Sequence, residues 1–183
     1  GCSRLEYLYL GASVQLMYSD RTLEGCNRLE TIEVSPENQS YTSQDGILYS
    51  KDLSEMIFVP KQITGAVIIP DGVTTITANA FANCTKLESI TLPDSVRTVG
   101  GYAFQNCTNL SDVHFGPYIE ELGTGVLDGT AYYYNPDNRY QYMLYLDAYA
   151  LGANWELPAR LYIKEGTRLI AQNAVFDPNL EYL

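Results

Sequence analysis

The sequence has little basic charge and no long apolar run. Its 183 residues include 11 lysines and arginines against 22 aspartates and glutamates, which gives a net charge of −11 at pH 7. An acidic chain of this kind repels nucleic acid and anionic membrane surfaces, so we expect neither as a partner. No stretch reaches the roughly 18 consecutive apolar residues of a membrane span, and we expect no membrane insertion by this segment.

The residue types that commonly carry catalysis or bind metals are also scarce. His114 is the only histidine, and no nucleophile motif of the Gly-x-Ser-x-Gly type occurs. No cysteines or histidines stand at the short spacing of a zinc site. The segment at residues 135–138, Asn-Pro-Asp-Asn, lacks the alternating carboxylates and the closing glutamate of a calcium loop, and it predicts a turn. We expect no catalytic residue, no metal and no cofactor.

What the sequence does contain is an internal repeat of about 23 residues. The clearest copy spans residues 80–100, and the copy at residues 103–123 keeps nearly every apolar position. In its Leu-x-x-Ile-x-Leu segment, alternation with period 2 sends Ile90 inward and Ser89 and Thr91 outward. A unit this short cannot bury its apolar edge alone, so neighbouring copies must stack on one another.

The repeat predicts a leucine-rich-repeat solenoid that is mostly β, with one strand in each copy and the strands stacked in parallel. About seven strand positions result, and one of them lies at residues 161–163. The return half of each copy, such as residues 96–104, is predicted as loop with a turn or so of helix. We expect a single domain over residues 1–183 and, because both ends fall inside a repeat, a fragment of a longer array.

Two segments break the period, at about residues 36–62 and 130–158, and both predict β-hairpin inserts. In each, two runs with strand-like composition flank a short polar stretch, and a turn precedes the first run. The runs lie at residues 47–50 and 56–59 in the first insert and at residues 142–146 and 148–152 in the second. We expect these hairpins to project from the solenoid or to pack on one side of it.

The pattern over residues 80–100 is Ala-Phe-x-Asn-Cys-x-x-Leu-x-x-Ile-x-Leu-Pro-x-Ser-Val-x-x-Val-Gly. It resembles the BspA-like leucine-rich repeats of bacterial surface and secreted proteins, and the resemblance covers essentially the whole chain. Departures are local: Leu23 stands where Phe81 and Phe104 stand, and residues 175–180 have lost the cysteine. The resemblance implies a non-enzymatic array at the cell surface or secreted from the cell, associated with adhesion or protein recognition and often one module of a longer polypeptide. It implies no particular ligand.

All four cysteines stand three residues before the first leucine of a strand segment, at Cys2, Cys26, Cys84 and Cys107. This repeated position predicts buried free thiols that act as small apolar side chains. The alternative is a disulfide, because neighbouring rungs of a stack lie ~5 Å apart and Cys84 would be close enough to bridge to Cys107.

The sixteen tyrosines are unusual, and seven of them fall in the second insert. Tyrosine offers a large contact area with a polar tip, which recognition surfaces favour. The alternative is that these rings pack a hairpin with little core of its own onto the solenoid. The candidate binding residues in this insert are Tyr132, Tyr133 and Tyr134.

A second candidate surface consists of side chains that point outward from the predicted strands, the usual contact surface of curved repeat arrays. The candidates are Tyr7, Tyr9, Glu33, Ile68, Thr91, Asp112, His114, Arg160 and Tyr162. For His114, beside Asp112, the alternative is an ordinary solvated side chain.

These patterns, with the resemblance, predict an extracellular binding or adhesion module without enzyme activity. We expect a monomer that presents the outward strand positions and the tyrosine-rich insert to a protein or glycan partner. A structural spacer is one other interpretation, and an accessory domain of a larger surface protein or hydrolase is another. Small polar residues along the whole outward face would favour a spacer, and Tyr7, Tyr9 and Tyr162 argue against it.

Overall fold

The computed structural model describes residues 2–15, 23, 25–153 and 161–175. Strands dominate this part of the chain, and its one α-helix, α1, is the four-residue segment Ala131–Tyr134. The strands are β1 Tyr7–Leu10, β2 Thr31–Val34, β3 Tyr41–Gln44, β4 Ile47–Ser50, β5 Glu55–Phe58, β6 Gly65–Ile68, β7 Thr75–Ile76, β8 Leu87–Thr91, β9 Thr98–Val99, β10 Asp112–His114, β11 Glu121–Leu122, β12 Arg139–Tyr140, β13 Met143–Leu146, β14 Tyr149–Ala153 and β15 Leu169–Ile170. A 3-10 helix, Pro136–Asn138, follows α1 and forms the turn predicted at residues 135–138.

The Leu-x-x-Ile-x-Leu segments form the front of the solenoid. Strand β1 pairs in parallel with β2, and β6, β8 and β10 form a second parallel ladder in which β8 is central. The register joins equivalent repeat positions, so that Ile68, Thr91 and His114 lie side by side, as do Tyr9 and Glu33. The predicted solenoid with a parallel strand stack is confirmed.

The return halves form a separate parallel ladder at the back of the solenoid, where the sequence predicts loop and a turn of helix. Strands β7, β9 and β11 pair through two residues each, such as Ile76 with Val99. The rungs approach closely there, because a Cβ atom added at Gly100 or Gly123 would overlap main-chain atoms of the preceding rung. Extended backbone with β-branched residues and glycine at the contact therefore replaces the predicted helical turn.

Both predicted hairpin inserts are present, and both are part of the back of the solenoid. In the first, β3, β4 and β5 form an antiparallel meander, and β5 then pairs in parallel with β7. The turn between β3 and β4 is Asp45-Gly46, with both residues at positive φ, as a two-residue hairpin requires. The sequence predicts β4 and β5 but not β3.

The second insert repeats this plan. Strands β12, β13 and β14 form an antiparallel meander, and β14 pairs in parallel with β15. Glu55 pairs with Thr75 in the first insert and Tyr149 with Leu169 in the second, an offset of 20 residues in both. Residues 154–158 of the predicted insert lie outside the described residues.

The first insert separates two hydrophobic cores. Leu48 and Phe58 face the smaller core beneath β1 and β2, whereas Tyr49 and Met56 face the larger core beneath the remaining repeats. The larger core contains a column of aromatic rings in which the Phe81 and Phe104 centroids lie 5.0 Å apart. Each fully buried Leu, Ile or Phe stabilises the fold by roughly 1.5–3 kcal/mol. Because β4 is apolar on both faces, it acts as a wall between the cores.

Candidate interaction surfaces

The first part of the front face is formed by outward side chains of β1 and β2. Tyr7 and Tyr9 are each about half exposed, and Glu33 lies beside Tyr9 in the register. The Tyr7 hydroxyl donates a hydrogen bond to Glu33 Oε2 at 2.6 Å, and this bond, with the nearby carboxylate charge, raises the pKa of Tyr7. The two strands therefore present a pair of aromatic rings with one carboxylate held beside them.

The second part of the front face lies on β6, β8 and β10. Ile68 is 77% exposed, and Thr91 and His114 continue the same row. Asp112 accepts a hydrogen bond from Ser89 Oγ at 3.0 Å and lies 2.9 Å from His114 Nε2. The serine hydroxyl thus bonds to the carboxylate and not to the imidazole, which differs from the contact that activates a catalytic serine.

The front ladder ends at β10 within the described residues. The main-chain N–H of Tyr132 donates to Leu110 O at 2.8 Å, so α1 lies where the next front strand would begin. Residues 161–163, predicted as a strand, therefore have no strand beside them and form none. Tyr162 is 60% exposed in this irregular segment, whereas Arg160 lies outside the described residues.

Several tyrosines of the second insert pack against the solenoid. Tyr145 and Tyr149 are buried, and the Tyr149 hydroxyl donates to Gly116 O at 2.8 Å. Tyr132 is partly buried against the larger core and donates its hydroxyl hydrogen to Tyr145 O at 2.9 Å. Burial raises the pKa of Tyr132 to about 12. These three rings serve to attach the insert.

Other tyrosines of the same insert face solvent. Tyr134 is 72% exposed, whereas Tyr133 packs partly on the core and beneath the Arg139 guanidinium group, 4.9 Å from the ring centroid. Tyr140 and Tyr142 belong to the seven tyrosines predicted in this insert but not to the three candidate binding residues, and they are also exposed. Their exposure follows from their position on either side of Gln141. This residue adopts positive φ in the turn between β12 and β13, and turn residues project outward.

A groove of about 400 Å³ lies at the break between β2 and β6. It is lined by Glu30, Asp45, Ile47, Pro60, Gln62, Ile63, Thr64 and Lys86. Gln62 links its two sides, donating to Asn27 O at 2.7 Å and accepting from Lys86 Nζ at 2.7 Å. Sequence reasoning missed this groove, although the 12 residues in excess of the repeat between Val34 and Ile69 mark its place.

The cysteine positions form a column through the stack. Cys26, Cys84 and Cys107 are buried free thiols, and Cys107 Sγ donates to Phe81 O at 3.1 Å. Cys2, predicted to be buried, is exposed because it lies on the first rung of the described chain.

Lys61, 23 residues before Cys84, occupies the same column in the repeat that contains the first insert. It is buried, donates to Ala82 O and lies over the Phe58 ring. Burial lowers the pKa of Lys61, and the surrounding thiols oppose this shift.

Metal ligands and membrane-spanning helices bear on the predicted function. Within residues 2–15, 23, 25–153 and 161–175, no three His, Cys, Asp or Glu side chains come together in a way that could hold a metal ion. No helix in the same ranges has the length and apolar character needed to cross a membrane.

Comparison with known proteins gives a family and two similar structures. No curated protein matches the sequence. The structure of the pneumococcal vaccine antigen PcpA superposes with a TM-score of 0.65 at 24% identity over 68% of this chain and 31% of that one. A leucine-rich cell surface protein from Faecalibacterium prausnitzii superposes with a TM-score of 0.59 at 34% identity over 68% of this chain and 33% of that one. The chain thus spans about a third of each.

The family model that matches is described as a BspA type leucine-rich repeat region, and it finds six copies between residues 51 and 133. This span includes β6 to β11, where the front and back ladders are regular. Residues 51–133 therefore form a leucine-rich repeat region of the BspA type.

Proposed function

We propose that the chain is an extracellular recognition module that binds a protein through its front face. The observation that carries the proposal is the pair of exposed rings of Tyr7 and Tyr9, placed on adjacent outward positions of β1 and bordered by Glu33. Exposed aromatic side chains of this kind are typical of contact surfaces, since they bury a large area on binding with little loss of conformational freedom. A spacer would need none of them.

The location outside the cell is part of the same proposal. One structurally similar protein is described as a leucine-rich cell surface protein and the other as a vaccine antigen. Surface exposure fits an acidic, tyrosine-rich repeat array whose repeats supply stability while their outward positions vary. We propose no reaction for the chain, because the Ser89, Asp112 and His114 contacts do not activate a hydroxyl.

A binding assay with immobilised proteins tests this proposal directly. Purified chain is applied to immobilised extracellular matrix proteins and, in parallel, to an array of glycans. We expect saturable binding to at least one protein, weakened at least tenfold by the double substitution Tyr7→Ser and Tyr9→Ser. The matched control is Tyr102→Ser with Tyr118→Ser, which removes two exposed rings away from the front face. Equal loss in the control, binding to glycans alone, or no binding at all would each contradict the proposal.

A further inference from the structure

The break in the front ladder leaves its two strand edges in different states. On one side, the edge of β2 is covered by the first insert, because Ile32 N–H donates to Gly46 O at 2.9 Å and Val34 N–H donates to Ser43 Oγ at 3.0 Å. On the other side, β6 has β8 as its only strand partner in the described chain. The insert thus closes one edge and leaves the other open.

The unpaired groups of β6 can be identified from its hydrogen bonds. Gly65 N–H donates to Lys86 O at 3.1 Å and Ile69 N–H donates to Thr91 O at 2.9 Å, so residues 65, 67 and 69 direct their main-chain groups towards β8. By strand alternation, Ala66 and Ile68 direct their N–H and C=O groups the opposite way. No hydrogen bond from another described residue reaches those groups, and both side chains are exposed.

We propose that this open edge of β6 binds an extended polypeptide segment of the protein partner as an added strand. An edge with two free donor and acceptor pairs at alternate residues is the template that strand addition uses. Ile68, at 77% exposure, supplies the apolar contact that fixes one side chain of the incoming strand. The inference rests on the proposed function, since it states which part of a protein partner is bound and where.

The groove beside β6 specifies the charge of that segment. It lies before the amino-terminal ends of β2 and β6, and the exposed carboxylates of Glu30 and Asp45 line it. The one lysine of the lining, Lys86, is already bonded to Gln62. With a net charge of −11 on the whole chain, a lysine or arginine at the end of the added strand is the complementary occupant. Ile63 and Ile47 offer apolar contact to its methylene groups.

The proposal is tested with a synthetic peptide and wild-type protein. The peptide copies residues 87–92, the chain's own neighbour of β6, with Glu88 replaced by threonine and a lysine added at each end. A second peptide carries N-methyl groups on alternate amides and cannot form the ladder, and a third has glutamate at both ends. Fluorescence anisotropy is expected to show saturable binding of the first peptide, at least tenfold weaker binding of the methylated one and weaker binding of the acidic one.

Two protein variants locate the site. Ile68→Pro removes an N–H that the fold does not use, together with the isoleucine side chain. Proline is tolerated at such an edge position, so the variant is expected to melt like wild type but bind the first peptide at least tenfold more weakly. Ile68→Ala keeps the N–H and should lose less. Should Ile68→Pro fail to fold, the methylated peptide makes the same test on wild-type protein.

The outcomes are decisive in both directions. Undiminished binding by Ile68→Pro or by the methylated peptide, or no saturable binding up to the solubility limit of the first peptide, overturns strand addition. So does a dimer of the chain that Ile68→Pro dissolves, because the edge would then serve a second copy. The Tyr7→Ser and Tyr9→Ser variant separates the two proposals: it is expected to keep the peptide, whatever its effect on protein binding through the front face.

Discussion

At the scale of single residues, Lys61 is the least expected member of the core. It stands in the column that cysteines occupy in neighbouring repeats, and its amine donates to Ala82 O of the next rung and lies over the Phe58 ring. Burial lowers its pKa. The folded state therefore binds this proton less readily than the unfolded state, and the free energy of unfolding rises with pH towards the ordinary lysine pKa of about 10.4.

Replacing this amine is expected to stabilise the protein at neutral pH. For Lys61→Met we expect a gain of about 1 kcal/mol, equivalent to roughly 2–4 °C in melting temperature for a chain of this size. The gain should shrink as the pH is raised through about 10.4, above which lysine is neutral in both states. Melting curves across this range measure it. Lys86→Met, at an exposed lysine, is the control and should show no such trend; a loss of stability in Lys61→Met at pH 7 would refute the prediction.

Buried tyrosines make the opposite prediction at alkaline pH. Burial raises the pKa of Tyr49 and of Tyr132 to about 12 each, against about 10 in an unfolded chain. Their contribution to stability is complete below about pH 10 and is lost as the pH rises towards 12. In the double variant Tyr49→Phe and Tyr132→Phe, this loss of stability at alkaline pH should be smaller. At neutral pH, Tyr132→Phe is expected to cost about 1 kcal/mol of stability, because it removes the hydrogen bond to Tyr145 O.

Ultraviolet absorbance of tyrosinate, followed with circular dichroism, measures the alkaline transition. Tyr134→Phe and Tyr140→Phe, at exposed rings, form the matched control and should leave the transition in place. If the double variant Tyr49→Phe and Tyr132→Phe shows the same alkaline transition as wild type, these two hydroxyl groups do not determine the pH at which the protein unfolds.

At the scale of strands and turns, glycines set the spacing of the back ladder. A Cβ atom at position 123 would overlap the main chain at Gly101, and only movement of a whole rung could relieve that. We expect Gly123→Ala to destabilise the protein by roughly 1–3 kcal/mol, as overpacking does. Gly11→Ala is the control, because an added Cβ there meets nothing within 4 Å. Denaturant melts measure both, and equal values for the two variants would contradict the close approach.

The parts of the fold that repeat could be predicted from the sequence, because the same apolar positions recur from one copy to the next. Ile90 and its equivalents fix the front strands, and the length excess fixes the inserts. Two-residue strands such as Thr98–Val99 have no periodicity to reveal them. The groove depends on which edge the first hairpin covers, and exposure of Tyr134 but burial of Tyr149 depends on how the second one folds back. Both are tertiary properties.

At the scale of the whole molecule, the two cores should differ in stability. Ile32 and Ile90 occupy the same repeat position and are both fully buried, the first in the smaller core and the second in the larger. Either substitution to alanine removes roughly 2–5 kcal/mol. We expect Ile32→Ala to raise hydrogen exchange in β1 and β2 alone, since a unit of a repeat array that has its own core can open by itself. Ile90→Ala should raise exchange from β6 to β11. Uniform acceleration in both variants would mean that the wall formed by β4 does not divide the molecule.

The same wall has a mechanical consequence. The back sheet is continuous from β3 to β11, whereas the front ladder is interrupted between β2 and β6. Under load along its long axis, such an array is expected to bend at the interruption. The continuous back sheet would flex there while the front separates. A strand bound to β6 would span this interruption, so a bound partner is expected to stiffen the array where it otherwise bends most easily.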